Sequence, residues 1–385
     1  MRITWLRDES LTQSRIHVIN SALLISPARR YNDVVPALSD FDLSTLQQQF
    51  RDWNASPINA QRLLRLYFQS AGMIDPLSID LGGSIHARFG TDLSLRQSTI
   101  AHRHVATDGT TKLLVQFDSG GNVESVLMPS HRPDRAAGCL SSQIGCAMGC
   151  DFCASTRNGL SRSLSAGEIV EQFLHLKHQA AQLNRRLNTI VFMGMGEPMH
   201  NLDACIGAIH RIADRRLGNL GYRNITVSTV GVIAGMLQLA DLDLGVHLAL
   251  SLHAPDDETR AKIVPTARKW KVADIMSAAK YFQAKTGRIV TIEYCMLAGV
   301  NDSDEQAHLL GELMQGFRAH VNLIPYNAIG AGISGMIYTK PTRERLTRFI
   351  DILTEHHVVS HFRRTRGDDV NAACGQLLAR QSSKV

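Results

Sequence analysis

Gly145-Cys146-Ala147-Met148-Gly149-Cys150-Asp151-Phe152-Cys153 places three thiols at the spacing C-x3-C-x2-C, with a glycine ahead of the first and of the second. Thiolates select soft or borderline metals, and ligands this close together let one loop wrap one centre. A closed structural zinc site takes four ligands, often as paired C-x-x-C units, and the chain holds no second C-x-x-C. Three ligands instead suit a four-iron cluster with one iron left open to a substrate or cofactor. An incomplete zinc site or buried free cysteines are the plainer readings. The cluster outweighs both.

Downstream of this loop, strand and helix alternate. Ser165-Ala166-Gly167-Glu168 reads as a capping box opening a helix with Ile169, Phe173, Leu176 and Ala180 on one face. Short apolar strands follow at 189–193, 225–228, 246–252, 290–297 and 321–325, with helices between them, then a last helix at 341–356 and a strand at 358–364. Mostly apolar strands in repeated βα units imply a parallel sheet covered by helices. With the strand that leads into the cysteine loop there are about six units, so the expectation is an open, partial (β/α)6 barrel with its chemistry at the C-terminal strand ends.

Upstream, residues 107–129 read as a β-hairpin: 113–117 and 123–128 are strands, and the Asp108-Gly109 and Asp118-Ser119-Gly120-Gly121 turns punctuate them. Glu124 is the one acid on the returning strand, where an exposed strand position is the plain reading. From Asp40 to about Gly90 the period is helical, with Leu43, Leu46 and Phe50, then Leu63, Leu66 and Phe68. The expected organisation is an extension (1–35), a helical accessory domain (36–105), a hairpin connector (106–131), the core (132–369) and a tail carrying Cys374 (370–385).

Composition sets bounds. At 385 residues, 44% hydrophobic and 20% charged, the chain reads as a soluble protein of one large and one smaller domain. No apolar run nears the ~18 residues of a membrane span. Charges at Arg2, Arg7, Asp8 and Glu9 sit where a signal peptide needs its apolar core. Seven cysteines, three of them in one loop, are no secreted disulfide framework. An oxygen-sensitive cluster needs a reducing compartment, so cytoplasm is expected. The net charge of +6, with basic runs at 29–30, 185–186 and 363–366, permits a nucleic-acid partner without requiring one.

Polar groups gather at the strand ends. Gly194-Met195-Gly196-Glu197-Pro198 follows one strand, Ser228 ends the next, Ser251-Leu252-His253 the following, and Asn327 lies just beyond Pro325-Tyr326. Singly, each is a turn or cap residue. Together they make a polar ligand mouth. Cys139, seven residues ahead of Cys146, must lie near the cluster, and Cys374 beside Gly375 reads as an accessible thiol. Cys205 and Cys295 read as buried structural cysteines.

The cysteine loop, with Phe152 ahead of its last Cys, resembles the radical S-adenosylmethionine superfamily. Adding Cys139, the Gly-Met-Gly-Glu-Pro turn, Ser251-Leu252-His253-Ala254-Pro255 and the run from Arg366 to Gln376, the chain resembles the RlmN/Cfr family of RNA adenine methyltransferases across residues 107–377. That resemblance implies a [4Fe-4S] cluster on Cys146, Cys150 and Cys153. It also implies two S-adenosylmethionine per turnover, bound by Gly196, Glu197, Ser228, Ser251, Leu252, His253 and Asn327. One methylates Cys374; the other yields a 5′-deoxyadenosyl radical that activates the methyl group. Adenine C2 and C8 are too electron-poor for simple displacement, hence the radical. The resemblance further implies Glu124 as proton acceptor and Cys139 as the thiol that resolves the adduct through a transient disulfide with Cys374. RNA (ribosomal, transfer or both, with C2 expected over C8) would be the substrate, met by the helical domain. A flavodoxin- or ferredoxin-like electron donor, a monomeric state and no membrane complete the expectation. The family's Pro-Phe-Pro-Gly-like run after Asn327 is replaced here by residues 328–336, Ala-Ile-Gly-Ala-Gly-Ile-Ser-Gly-Met, and the stretch between Glu124 and Cys139 is longer.

Overall fold

The computed structural model describes residues 35–363 and 365–378. The expected extension therefore lies outside the described residues but for Val35, as do Arg364 of the basic run and the end of the tail. Asp42 caps α1 (Leu43–Asp52): its carboxylate accepts from the Thr45 N–H at 2.8 Å, and the Thr45 hydroxyl accepts from the Asp42 N–H at 3.0 Å. Pro57 begins α2 (Pro57–Gln69), where a missing N–H costs nothing. Leu46 and Phe50 of α1 are fully buried in one apolar cluster with Leu63 and Phe68 of α2, and the short α3 (Gly83–His86) follows.

Residues 98–105, assigned on sequence to the helical domain, are a strand. β1 (Ser98–Val105), β2 (Thr111–Phe117) and β3 (Asn122–Pro129) form an antiparallel meander whose inner pair is the expected hairpin. Only Ser98 of β1 is buried, so no apolar alternation marks it in the sequence. β4 (Arg135–Cys139) pairs antiparallel with β3, Val126 opposite Cys139. The extra residues before Cys139 are absorbed in the turn, where Ser130 N–H donates to the Arg135 carbonyl at 3.0 Å.

β5 (Gln143–Gly145) and β6 (Leu160–Ser163) form a separate two-stranded clip at the two ends of the cysteine loop. Then come α4 (Ala166–Gln182), β7 (Arg186–Phe192), α5 (Leu202–Ala213), β8 (Ile225–Thr229), α6 (Ile233–Asp241), β9 (His247–Ser251), α7 (Asp257–Ile263), α8 (Val272–Thr286), β10 (Val290–Met296), α9 (Asp304–Leu313), β11 (Ala319–Pro325), α10 (Arg343–Glu355) and β12 (Ser360–Phe362). β4 and β7 to β12 are parallel neighbours in chain order, and the sheet runs from β1 at one edge to β12 at the other without closing. This is an open, partial (β/α)6 barrel extended by a meander. Val227, Leu248, Leu250, Ile292, Tyr294, Val321 and Leu323 are fully buried, each worth about 1.5–3 kcal/mol.

α4 carries the seam between the helical part and the barrel. Its capping box is made: Ser165 Oγ accepts from the Glu168 N–H at 3.0 Å, and Glu168 Oε2 accepts from the Ser165 N–H at 2.8 Å. One turn on, the buried Glu171 accepts from Ser39 Oγ at 2.9 Å, from the Gln97 N–H at 2.8 Å and from Ser98 Oγ. Burial pushes the Glu171 carboxyl from 4.5 up to about 7, against those hydrogen bonds. Between these values the folded chain keeps a proton that the unfolded chain releases. The stability this contributes is therefore full below 4.5 and lost as pH rises through 7. Glu171→Gln removes that dependence. Thermal unfolding at pH 5 and pH 8 is expected to show the variant gaining on the parent at the higher pH; parallel shifts at both would refute it.

Candidate active site

The cysteine loop keeps its course through two residues that only glycine suits. Gly145 (φ 77°) lies so close to Gly159 that a Cβ would overlap its carbonyl oxygen, and that carbonyl accepts from the Cys146 N–H at 3.0 Å. Gly149 (φ 70°) makes the next reversal. Thr156 Oγ1 donates to the Cys150 and Cys153 carbonyls at 3.2 and 2.9 Å. The outcome is that Cys146, Cys150 and Cys153 all line one inner cavity of about 150 Å3.

Burial pushes the Cys146 thiol up to about 12 and raises Cys150 and Cys153 as well, each of the three facing the charge of a neighbouring cysteine. Metal must therefore displace protons to bind here. Among the described residues, no three His, Cys, Asp or Glu side chains converge where a single ion would sit. Three thiols on one loop beside a cavity fit a multi-iron cluster whose ligands stand on different irons.

Gly196, Glu197, Ser228, Ser251 and His253 line the same cavity. Glu197 accepts from the Met199 N–H at 3.1 Å and the Val230 N–H at 2.9 Å, one on each oxygen, leaving lone pairs for a ligand. Burial raises it to about 7 despite those bonds. Ser228 and Ser251 hydroxyls meet at 3.2 Å. His253 (φ 63°) accepts the Cys295 N–H on Nδ1 at 3.0 Å, and burial lowers its pKa to about 3. It is neutral, so Nε2 carries the proton and is a donor. Leu252 stands apart: its side chain is fully buried, its N–H donates to the Glu293 carbonyl at 3.1 Å, and its carbonyl accepts from Arg260 at 3.0 Å.

Residues 365–378 pass back across the barrel mouth as a strap. Asn371 carbonyl accepts from Lys112 Nζ at 3.0 Å, Asp369 from the Thr107 N–H at 2.9 Å, and Leu377 carbonyl from Ser155 Oγ at 2.6 Å. Gly375 carbonyl accepts from the Ala154 N–H at 2.6 Å. Asn327 lines the outer cavity, not the inner one, and its amide serves the strap, donating to the Cys374 carbonyl at 3.1 Å and accepting from Thr365 Oγ1 at 3.0 Å.

Cys374 borders both the inner cavity and a larger outer one of about 1100 Å3. Cys139 lines the outer cavity too, and both thiols are free. Burial, then the neighbouring Cys374, pushes Cys139 up to about 12. Glu124 lines neither cavity. It lies below the strap, paired with Lys112 Nζ at 3.1 Å and accepting from the Leu378 N–H at 2.9 Å.

Sequence reasoning missed three groups. Cys295 is buried as expected but lines the inner cavity. Glu293, also on that wall, keeps Oε2 buried without a hydrogen bond, 3.9 Å from Arg363. Arg363 borders both cavities. A lone acid within an apolar strand, as in Val-Thr-Ile-Glu-Tyr-Cys-Met, was the available signal.

Residues 140–310 match the model of the radical SAM superfamily. A probable dual-specificity RNA methyltransferase RlmN 1 of Opitutus terrae is 47% identical over 90% of this chain and 98% of its own length. A probable dual-specificity RNA methyltransferase RlmN of Lysinibacillus sphaericus is 35% identical over 98% of this chain and 99% of its own. The crystal structure of a radical SAM methyltransferase from Sphaerobacter thermophilus covers 90% of this chain and 100% of that one, at 36% identity and a TM-score of 0.85. A thiol triad around an iron-cluster cavity, a free cysteine between two cavities and near-complete coverage agree: the chain belongs to the RlmN family of radical S-adenosylmethionine RNA methyltransferases.

Proposed function

We propose that this chain methylates a ring carbon of adenine, C2 rather than C8, in ribosomal RNA, transfer RNA or both, through a methylated Cys374. The observation that carries this is the place of Cys374: it borders the thiol-lined cavity on one side and the roomy cavity holding Cys139 on the other. The relatives' names, dual-specificity RNA methyltransferases, favour both RNA classes.

Cys146, Cys150 and Cys153 would hold the [4Fe-4S] cluster, and Gly196, Glu197, Ser228, Ser251 and His253 the S-adenosylmethionine, with Asn327 acting through the strap. Cluster and cofactor, when bound, supply a methyl group from one S-adenosylmethionine and a 5′-deoxyadenosyl radical from a second. The Cys374 sulfur gives up its proton and takes the methyl. Once that methyl had lost a hydrogen atom, its carbon would bond to the adenine ring, and the adduct would lose the ring proton and pass one electron to the cluster held by Cys146, Cys150 and Cys153. Glu124 takes the proton; its Leu378 N–H bond must open first. Cys139 would then attack the Cys374 sulfur as a thiolate. The sulfur–carbon bond breaks, the departing carbon takes up one proton to complete the methyl group, and the disulfide left behind is reduced by two electrons and two protons. A flavodoxin- or ferredoxin-like donor, a monomeric chain and a cytoplasmic setting belong to the same reading. Among the described residues no helix is long and apolar enough to cross a membrane.

Nucleoside mass spectrometry on ribosomal and transfer RNA, from cells expressing the chain or its Cys374→Ala variant, tests it. A methyladenosine made only by the intact chain, co-eluting with the 2-methyl standard, is the expected result. Co-elution with 8-methyladenosine moves the site to C8. No difference in either RNA pool, with the cluster present, refutes the assignment and points to another radical substrate, read by the divergent residues 328–336.

A further inference from the structure

Residues 328–338 form a small hairpin clamped onto the cysteine loop. Asp151, between Cys150 and Cys153, accepts from the Ser334 N–H at 2.7 Å, the Ser334 hydroxyl at 2.5 Å and the Tyr338 hydroxyl at 2.7 Å. Arg157 donates to the carbonyls of Ile329 and, at 2.7 Å, of Ala331. Ala331 and Ile337 bridge across the hairpin, and Gly332 lies so close to Asp151 that a Cβ would collide with its carboxylate.

So firm a mount makes the tip unexpected. Ile333, Met336 and Ile337 are 57%, 57% and 69% exposed. Three large apolar side chains held in water by a fixed scaffold mark a contact surface. Among the described residues the one carboxylate bonded to the hairpin, Asp151, is buried beneath it. No acid occurs from Tyr326 to Thr342 or from Thr259 to Val272, the second segment that lies on the cysteine loop, where Thr266 donates to the Met148 carbonyl at 2.6 Å. Lys340 and Lys269, one on each segment, are exposed.

We infer that this hairpin tip is the landing surface for an acidic one-electron carrier protein. The inference rests on the cluster reading above and adds the place where the electron enters. An apolar centre with a basic rim suits a protein partner with an acidic rim. RNA is the weaker occupant, since sequence-tolerant RNA contacts use aromatic or arginine stacking and residues 328–337 contain neither. None of residues 328–338 lines the outer cavity, where a base would enter. The hairpin touches instead the residue between two thiols of the cluster loop, which keeps the electron's path short.

The double variant Ile333→Glu with Met336→Glu tests this in the whole chain. Both positions face solvent, and the Ser334 and Tyr338 anchors stay in place. Its affinity for an acidic flavodoxin and its methylation driven by that reduced flavodoxin are each expected to fall about tenfold or more, while methylation driven by dithionite stays within about twofold. Unchanged flavodoxin affinity overturns the inference. Loss of RNA affinity with flavodoxin affinity intact also overturns it and assigns the tip to RNA. If the parent chain makes no methylated nucleoside with dithionite, the proposed function fails, and the flavodoxin affinities still decide the surface.

Discussion

Expressed with Cys139→Ala, the chain is expected to purify with the larger part of it joined covalently to RNA. In the proposed reaction, once the Cys374 carbon has bonded to the ring, the base leaves only if a second thiol attacks the Cys374 sulfur. Cys139 and Cys374 are the cysteines of the outer cavity, and Cys139 stands at the end of β4, opposite Val126, in no disulfide. Alanine there removes the attacking group and costs about 1 kcal/mol of packing, well short of what a domain needs to unfold. Denaturing electrophoresis with and without ribonuclease reads the adduct. Cys139→Ala with Cys374→Ala is expected to abolish it. Free protein with full methylation would show that another thiol resolves the adduct, and Cys295, on the inner wall, would be the first to test.

Cys150→Ala is expected to lower iron from about four per chain to near none after anaerobic reconstitution. Cys150 is buried with Cys146, beside the partly buried Cys153, in a cavity also lined by Met148, Phe152 and Tyr326. With one ligand gone, two thiols remain against burial that already favours their protonated forms. The fold is expected to stand, because this apolar cluster is separate from the barrel core that runs through β7 to β11. Iron assay, visible absorption and a thermal midpoint check all three points. Cys205→Ala, at a fully buried cysteine that lines neither cavity, is the control that keeps its iron. Full iron in Cys150→Ala would remove it from the ligand set.

Much of this was legible because the signals were local. Three thiols in one loop, a Ser-x-x-Glu box that caps α4, and apolar strands at regular spacing each declare themselves within a dozen residues. β1 was not legible, since an exposed edge strand needs no apolar face. The clip of β5 and β6 is three and four residues long and owes its register to Gly145 against Gly159, a contact no periodicity reports. Cys295 looked structural because an apolar strand hides which of its faces meets a cavity. Leu252, which the family resemblance adds to the cofactor contacts, has its side chain in the core, so any contact it makes is through its backbone. The Lys112–Glu124 pair joins residues that only the meander brings together, and its tie to Leu378 spans 254 positions.

The sheet that never closes has two free edges, and the strap runs from the β12 edge to the meander on the other side. It leaves β12 at Phe362 and fastens to Thr107, Lys112 and Glu124 on the far side. Mechanically the barrel is a bracelet with a clasp, and the reactive sulfur is mounted on the clasp. A bracelet can be put around the middle of a cord; a ring must be threaded from an end. In the proposed reaction the target base lies inside a long polymer with no end nearby, and the sulfur that would meet it rides on the fastening.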